Sequence, residues 1–247
     1  MPVREHRRIR LRAADGNRVP AYRAIPAAAT RGSIILLPDV RGLHPYYEDL
    51  TLRFAEAGYT ALAIDLYGRT APGNAREDAF RWHEHLPLVQ PDGIDIDARA
   101  AAEHLRSLGS GPLFTVGFCY GGGHSWRLAG SSLPLAGAIG FYGLPHLVGD
   151  VLGGARAPML MLLAEHDDET PRSDYDRLTT RLDAAHAPYE AHVHPGTPHS
   201  FFDRSHDQWG GACADAWHRI LDFTDRAGTW PARDRRPTRG GNTGADP

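Results

Sequence analysis

At 247 residues, with 42% hydrophobic and 23% charged side chains, the chain has the composition of one large globular domain and not of a disordered or fibrous protein. A formal charge of −3 gives no reason to expect nucleic acid or anionic membranes as partners, and no apolar run reaches the roughly 18 residues of a membrane span. Two cysteines, Cys119 and Cys213, cannot build a disulfide framework, and MPVREHRRIRLR carries charges where a signal peptide needs an apolar core, so a cytoplasmic, reducing setting is expected.

The first elements are predicted as a hairpin, residues 5–13 and 18–25 joined by the turn ADGN. SIILLP (33–38) is apolar throughout, as a strand buried on both faces should be. YYEDLTLRFAEAGY (46–59) has helical spacing at Leu50, Phe54 and Ala57, with Gly58 as its stop, and TALAID (60–65) is a second buried strand. A polar excursion over 67–95 holds some helix around REDAFRWHEHL, with the histidines of HEH solvated. IDARAAAEHLRSL (96–108) reads as a helix capped by Asp95 or Asp97. The alternation continues with strand LFTVGF, a helix over 121–130, strands LAGAIGFY and APMLMLLA, a helix over 172–185, strand YEAHVHP and a helix over 206–226. Strands alternating with helices predict an α/β fold with a doubly wound, mostly parallel sheet covered on both faces. One domain over 1–227 is expected, followed by a disordered Gly/Pro/Arg-rich tail over 228–247.

Gly117-Phe118-Cys119-Tyr120-Gly121 lies where a strand should turn sharply into a helix. That is the setting of a nucleophile elbow, G-x-S-x-G, here with cysteine in the central place. Glycines two before and two after make room for the strained turn, and the helix N-terminus favours a thiolate and a neighbouring oxyanion. A hydrolase built this way needs an acid after a later strand and a histidine after the last one. MLLAEHDDETP offers Asp167, with Asp168 as its rival, and HVHPGTPHSFFDR offers His199. Ser125 lacks the second glycine of a serine elbow, and His192 and His194 have no companion ligands, so neither a serine nucleophile nor a metal is expected. His124 reads as a packing residue behind the elbow, and Arg41 as either a partner of Asp39 or a contact for substrate.

These motifs, GFCYGG, DLYGRTAPG (65–73), AEHDDETP and GTPHSFFDR (196–204), resemble those of the dienelactone hydrolase family of carboxymethylenebutenolidase-like α/β hydrolases, over about residues 6 to 226. The resemblance implies the α/β-hydrolase fold and a triad of Cys119, Asp167 and His199, with an oxyanion hole from the backbone N–H groups of Tyr120 and Val40. It places Asp39, one methylene shorter than the family's glutamate, as the group that modulates the cysteine. It also implies a carboxylate-bearing substrate held by Arg76, Ser200 and Arg204, the last shifted by one residue, with Phe80 where the family often has tyrosine. No cofactor or metal follows from it. The reading is a hydrolase of a small-molecule ester or lactone, acting through a thioester as a monomer or homodimer. Two alternatives stay open, a tailoring enzyme of the same fold that transfers, cyclises or rearranges an acyl group, and a non-enzymatic thiol sensor.

Overall fold

The computed structural model describes residues 1–73, 76–149, 156–203 and 206–227. Eight strands form one sheet: β1 (Val3–Arg12), β2 (Arg18–Pro26), β3 (Ser33–Leu37), β4 (Thr60–Ile64), β5 (Leu113–Phe118), β6 (Gly137–Phe141), β7 (Met159–His166) and β8 (Tyr189–Pro198). Their order is β1-β2-β4-β3-β5-β6-β7-β8. β1 and β2 form the expected hairpin and pair antiparallel to the rest; every other pairing is parallel. The helices are α1 (Pro45–Glu56), α2 (Trp82–His85), α3 (Pro91–Leu108), α4 (Tyr120–Leu128), α5 (Arg172–Ala184) and α6 (Gly210–Ala227).

Side chains on a strand alternate between its two faces, and the central strands are apolar on both. Ile34 and Leu36 join Tyr47, Leu50 and Phe54 of α1 and Ala216, Ile220 and Phe223 of α6 in one buried cluster. Ile35 and Leu37, one residue out of phase, pack instead with Ile94, Ala98, Ala101 and Leu105 of α3 and Leu128 of α4. Under α5, Met159, Met161 and Leu163 of β7 meet Tyr175, Leu178 and Leu182. Each buried Leu, Ile or Phe contributes about 1.5–3 kcal/mol, so both faces anchor the sheet.

Two expectations need correction. α3 starts at Pro91 with Gln90 before it, several residues ahead of Asp95 and Asp97. Proline suits the first helical turn, where its missing N–H costs nothing. Asp97 instead receives Arg69 at 2.7 and 3.0 Å. The 67–95 excursion holds the four-residue α2, a 3-10 turn over Leu86–Leu88 and the start of α3; of the two HEH histidines, His83 is exposed as expected, whereas His85 is half-buried and stacks on Phe80 at 5.3 Å with a buried Nδ1. The 228–247 tail lies outside the described residues, as does Arg204.

β3 is flanked by β4 on one side and β5 on the other, so the chain winds in opposite directions from this point. The crevice outside the carboxyl ends of strands at such a reversal is where open α/β sheets bind ligands. The loop after β3 carries Asp39 and Val40, and the turn after β5 carries Cys119.

Candidate active site

Cys119 stands between the end of β5 and the first residue of α4, with φ 50° and ψ −113°. A non-glycine residue in that region carries strain of about 1–3 kcal/mol and persists only where its surroundings enforce it. Here the Cys119 N–H donates to the Phe141 carbonyl at 3.0 Å, and the Cys119 carbonyl accepts from Gly123 N–H at 3.1 Å. The flanking glycines are required by close approach. A Cβ on Gly117 would lie 2.0 Å from the Gly121 carbonyl oxygen, and one on Gly121 would lie 2.1 Å from that of Leu37. Tyr120, as the first residue of α4, has no carbonyl four residues back within the helix to receive its N–H. The peptides on both sides of the Val40 N–H are held, since Asp39 N–H donates to the Tyr47 hydroxyl at 3.1 Å and the Val40 carbonyl accepts from Tyr67 at 2.6 Å.

Asp167 follows β7 in the loop that also holds Asp168, and the structure distinguishes them. Asp167 Oδ1 accepts from the N–H groups of Glu169 and Thr170 at 3.0 and 2.9 Å, and Oδ2 accepts from the Tyr175 hydroxyl at 3.2 Å. Asp168 is exposed. His199, at the end of β8, places Nδ1 2.9 Å from Asp167 Oδ1. That contact makes Nδ1 the protonated nitrogen and aims Nε2 the other way. Nε2 is buried without a hydrogen-bond partner of ordinary length among the described residues. Burial works against the imidazolium, but the bond from Asp167 and the nearby Cys119 sulfur outweigh it and raise the His199 pKa to about 10. Ser200, next along, is buried at φ 61°, so the chain turns sharply straight after the histidine.

A packed aromatic bed lies under these groups. Phe118 stacks on Phe141 at 4.8 Å, Phe141 meets Phe202 at 4.4 Å, and the Tyr142 ring lies 4.8 Å from His199. Tyr142 has φ 35° and donates its hydroxyl to Asp203 at 3.3 Å. Neither Tyr142 nor Asp203 stands out in the sequence. A positive φ on an aromatic residue leaves no trace there, and Asp203 reads as one polar residue in HSFFDR.

Asp39 is fully buried and held by Arg41, whose backbone N–H donates to Oδ1 at 2.8 Å and whose Nε lies 3.0 and 2.9 Å from the two oxygens. Arg41 Nη2 also pairs with Asp203, so one guanidinium ties the loop after β3 to the loop after β8. Of the two readings of Arg41, the structure thus shows the pairing with Asp39. Arg76 is likewise buried. Its Nε and Nη2 donate to Asp65 Oδ2 at 3.1 and 2.6 Å, Nη1 donates to the Pro72 carbonyl at 2.7 Å, and Nη2 to that of Ala71 at 3.1 Å. Its guanidinium lies 4.6 Å from the Phe80 ring centroid, with Phe80 in turn against Tyr67 at 5.0 Å. Four donated bonds and an aromatic lid make Arg76 a strut for the excursion.

Ser125 is buried against Thr115 at 2.8 Å, well inside α4. His124 is packed beneath Tyr120 and accepts from Arg127 at 3.2 Å; burial first, then the Arg127 charge, lowers its pKa to about 3. His192 contacts Arg219 at 2.9 Å, and His194 is buried against Phe201 at 4.9 Å. Among the described residues no three His, Cys, Asp or Glu side chains are grouped to hold a metal ion, and no helix is long and apolar enough to cross a membrane.

An eight-stranded, mostly parallel sheet with a strained cysteine turn and a carboxylate-held histidine at its carboxyl edge defines an α/β hydrolase. Comparison with known proteins narrows the class. The model of the Dienelactone hydrolase family matches residues 19–228, and the chain belongs to that family of ester-bond hydrolases. A protein of Escherichia coli K12, provisionally named carboxymethylenebutenolidase, is 28% identical over 229 residues, 87% of this chain and 84% of that one. A Saccharolobus solfataricus protein with the same provisional name is 27% identical over 86% of this chain and 95% of its own. The crystal structure of a provisionally assigned dienelactone hydrolase from Klebsiella pneumoniae superposes with a TM-score of 0.79 at 25% identity, covering 92% of this chain and all of the other.

Proposed function

We propose that the protein hydrolyses an ester or lactone through a thioester on Cys119, with His199 as the proton carrier and Asp167 as its orienting partner. The 2.9 Å Asp167–His199 contact carries this reading, because it turns the buried Nε2 away from the carboxylate and leaves it for the sulfur. His199 accepts the Cys119 proton, and the thiolate attacks the carbonyl carbon. The new oxyanion is received by the N–H groups of Tyr120 and Val40. Collapse breaks the carbon–oxygen bond, and the leaving alkoxide takes the proton from His199. His199 then removes a proton from water, hydroxide attacks the thioester, and collapse releases the acid and returns the thiolate. In a lactone the leaving alcohol stays attached to the acyl product. Because thiolate leaves a tetrahedral intermediate more readily than alkoxide, activated or strained carbonyls are favoured over plain alkyl esters.

Ultraviolet loss of a conjugated dienelactone, followed beside release of 4-nitrophenol from an aryl ester, tests the reading with wild type and Cys119→Ala. Turnover of either substrate that falls by about 10⁵-fold in the variant, with an unchanged melting temperature, is expected. Equal turnover by the two proteins would remove Cys119 from the reaction.

A further inference from the structure

A hollow of about 420 Å³ opens between α3 and the β1–β2 hairpin, and none of its lining residues belongs to the proposed active site. Alternation along β1 puts Arg7, Ile9 and Leu11 on one face. The register sets Arg23 of β2 directly opposite Arg7. Ile9, Leu11 and Ala100 of α3 give the hollow an apolar wall, and Arg7, Arg23 and His104 a basic one. Arg12 and Glu103 also line it, both exposed.

Arg23 is the unusual member, a guanidinium residue buried to 4% exposure. Its Nη2 donates to Glu5 Oε1 at 2.6 Å and its Nη1 to His104 Nε2 at 3.1 Å. A guanidinium carries five N–H donors. Nε is buried without a partner, and each Nη nitrogen keeps a second hydrogen with no acceptor among the described residues. Buried donors left in this state are costly, so a native protein supplies them with water or a ligand. Arg7 lies 3.0 Å from the same Glu5 oxygen, so two like charges on directly opposite residues share one oxygen of one carboxylate. His104 registers the result. Burial first, then the charges of Arg23 and Arg7, hold its pKa below the usual value, and it stays neutral with its proton on Nδ1.

We infer that this hollow binds a small organic anion, a carboxylate or a phosphate monoester carried on an apolar body. The anionic end lies between Arg7 and Arg23, where its oxygens accept the donors that Glu5 leaves over. The apolar body covers Ile9, Leu11 and Ala100. Water answers the donors but leaves that wall wet. Bonds from a guanidinium to an oxyanion are about twice as strong as bonds between neutral groups, so the charge of the ligand decides binding.

Fluorine NMR line broadening reads the binding of 4-fluorobenzoate and 4-fluorophenyl phosphate to the whole chain, with 4-fluorobenzamide as a neutral control of similar shape. The His104 imidazole resonance, assigned by its loss in His104→Gln, reports where they bind. At least one anion should bind tenfold or more tightly than the amide, and the His104 resonance should move along the same saturation curve. The tighter of the two anions identifies the head group. Arg7→Gln, at an exposed position, should weaken binding several-fold without a change in Tm. Arg23→Gln should abolish binding; where that buried variant does not fold, Arg7→Gln decides. Equal binding of the amide, saturation that leaves the His104 resonance in place, an undiminished affinity in Arg7→Gln, or no binding of either anion at about 10 mM would each overturn the inference. No outcome bears on Cys119, whose test is separate.

Discussion

Two carboxylate–cation assemblies flank the elbow, and they differ in whether the cation can give up its charge. Asp167 meets His199 through a contact at 2.9 Å, and the histidine's other nitrogen has no partner of ordinary length among the described residues. Asp39 and Asp203 meet Arg41 through several bonds, and its guanidinium stays charged at any working pH. The first pair can move a proton and therefore do chemistry. The second can only hold position and set the local field. Both tie the loop after β8 to another loop of the same sheet edge, so the histidine is anchored from two sides by groups of opposite character.

The sharpest way to break this comparison is to remove the orienting carboxylate. Asp167→Asn should lower kcat by about 10³- to 10⁴-fold with little change in KM, because the amide favours the wrong imidazole tautomer. A loss below tenfold in a steady-state assay would mean that Asp167 only buttresses its loop. Next in size is Arg41→Gln, which takes the bridging guanidinium away from buried Asp39 and Asp203. Breaking a buried pair in this way costs about 3–5 kcal/mol, measurable by urea unfolding. Arg41→Lys should recover only part, since a point charge cannot bridge both carboxylates. The smallest effect separates the two assemblies by pH. The folded His199 pKa lies above its unfolded value, so the Asp167–His199 contribution is complete below about pH 6.5 and is lost as the pH rises through about 10. The melting temperature of wild type relative to His199→Gln should therefore fall over that window. The penalty in Arg41→Gln should stay flat across it, and a parallel decline would show that both assemblies titrate.

The order of strands and helices was legible because the central strands are apolar on both faces and the helices carry one apolar stripe. Cys119 and His199 were legible for a related reason, since each follows a strand directly and GFCYG needs its glycines for backbone contact. The neighbours of Asp167 and Arg76 were not. That Asp167 and not Asp168 faces the histidine depends on a turn in which Oδ1 caps two N–H groups, and both residues suit such a turn by composition. Arg76 could be matched to a substrate contact by its position, but its engagement with Asp65 arises where the excursion folds back onto the end of β4. Asp95 and Asp97 suggest a cap by composition, but Pro91 in the first turn starts α3 earlier.

The backbone at Cys119 also bears on how this sequence could change. Its φ of 50° with ψ of −113° is a conformation that costs nearly every residue the same and glycine almost nothing. A protein selected for durability alone would place glycine there and melt at a higher temperature. On the proposed mechanism, cysteine at that position exchanges some durability for reactivity, and thermostabilising schemes that relax backbone strain would erase the proposed nucleophile unless the elbow is exempted.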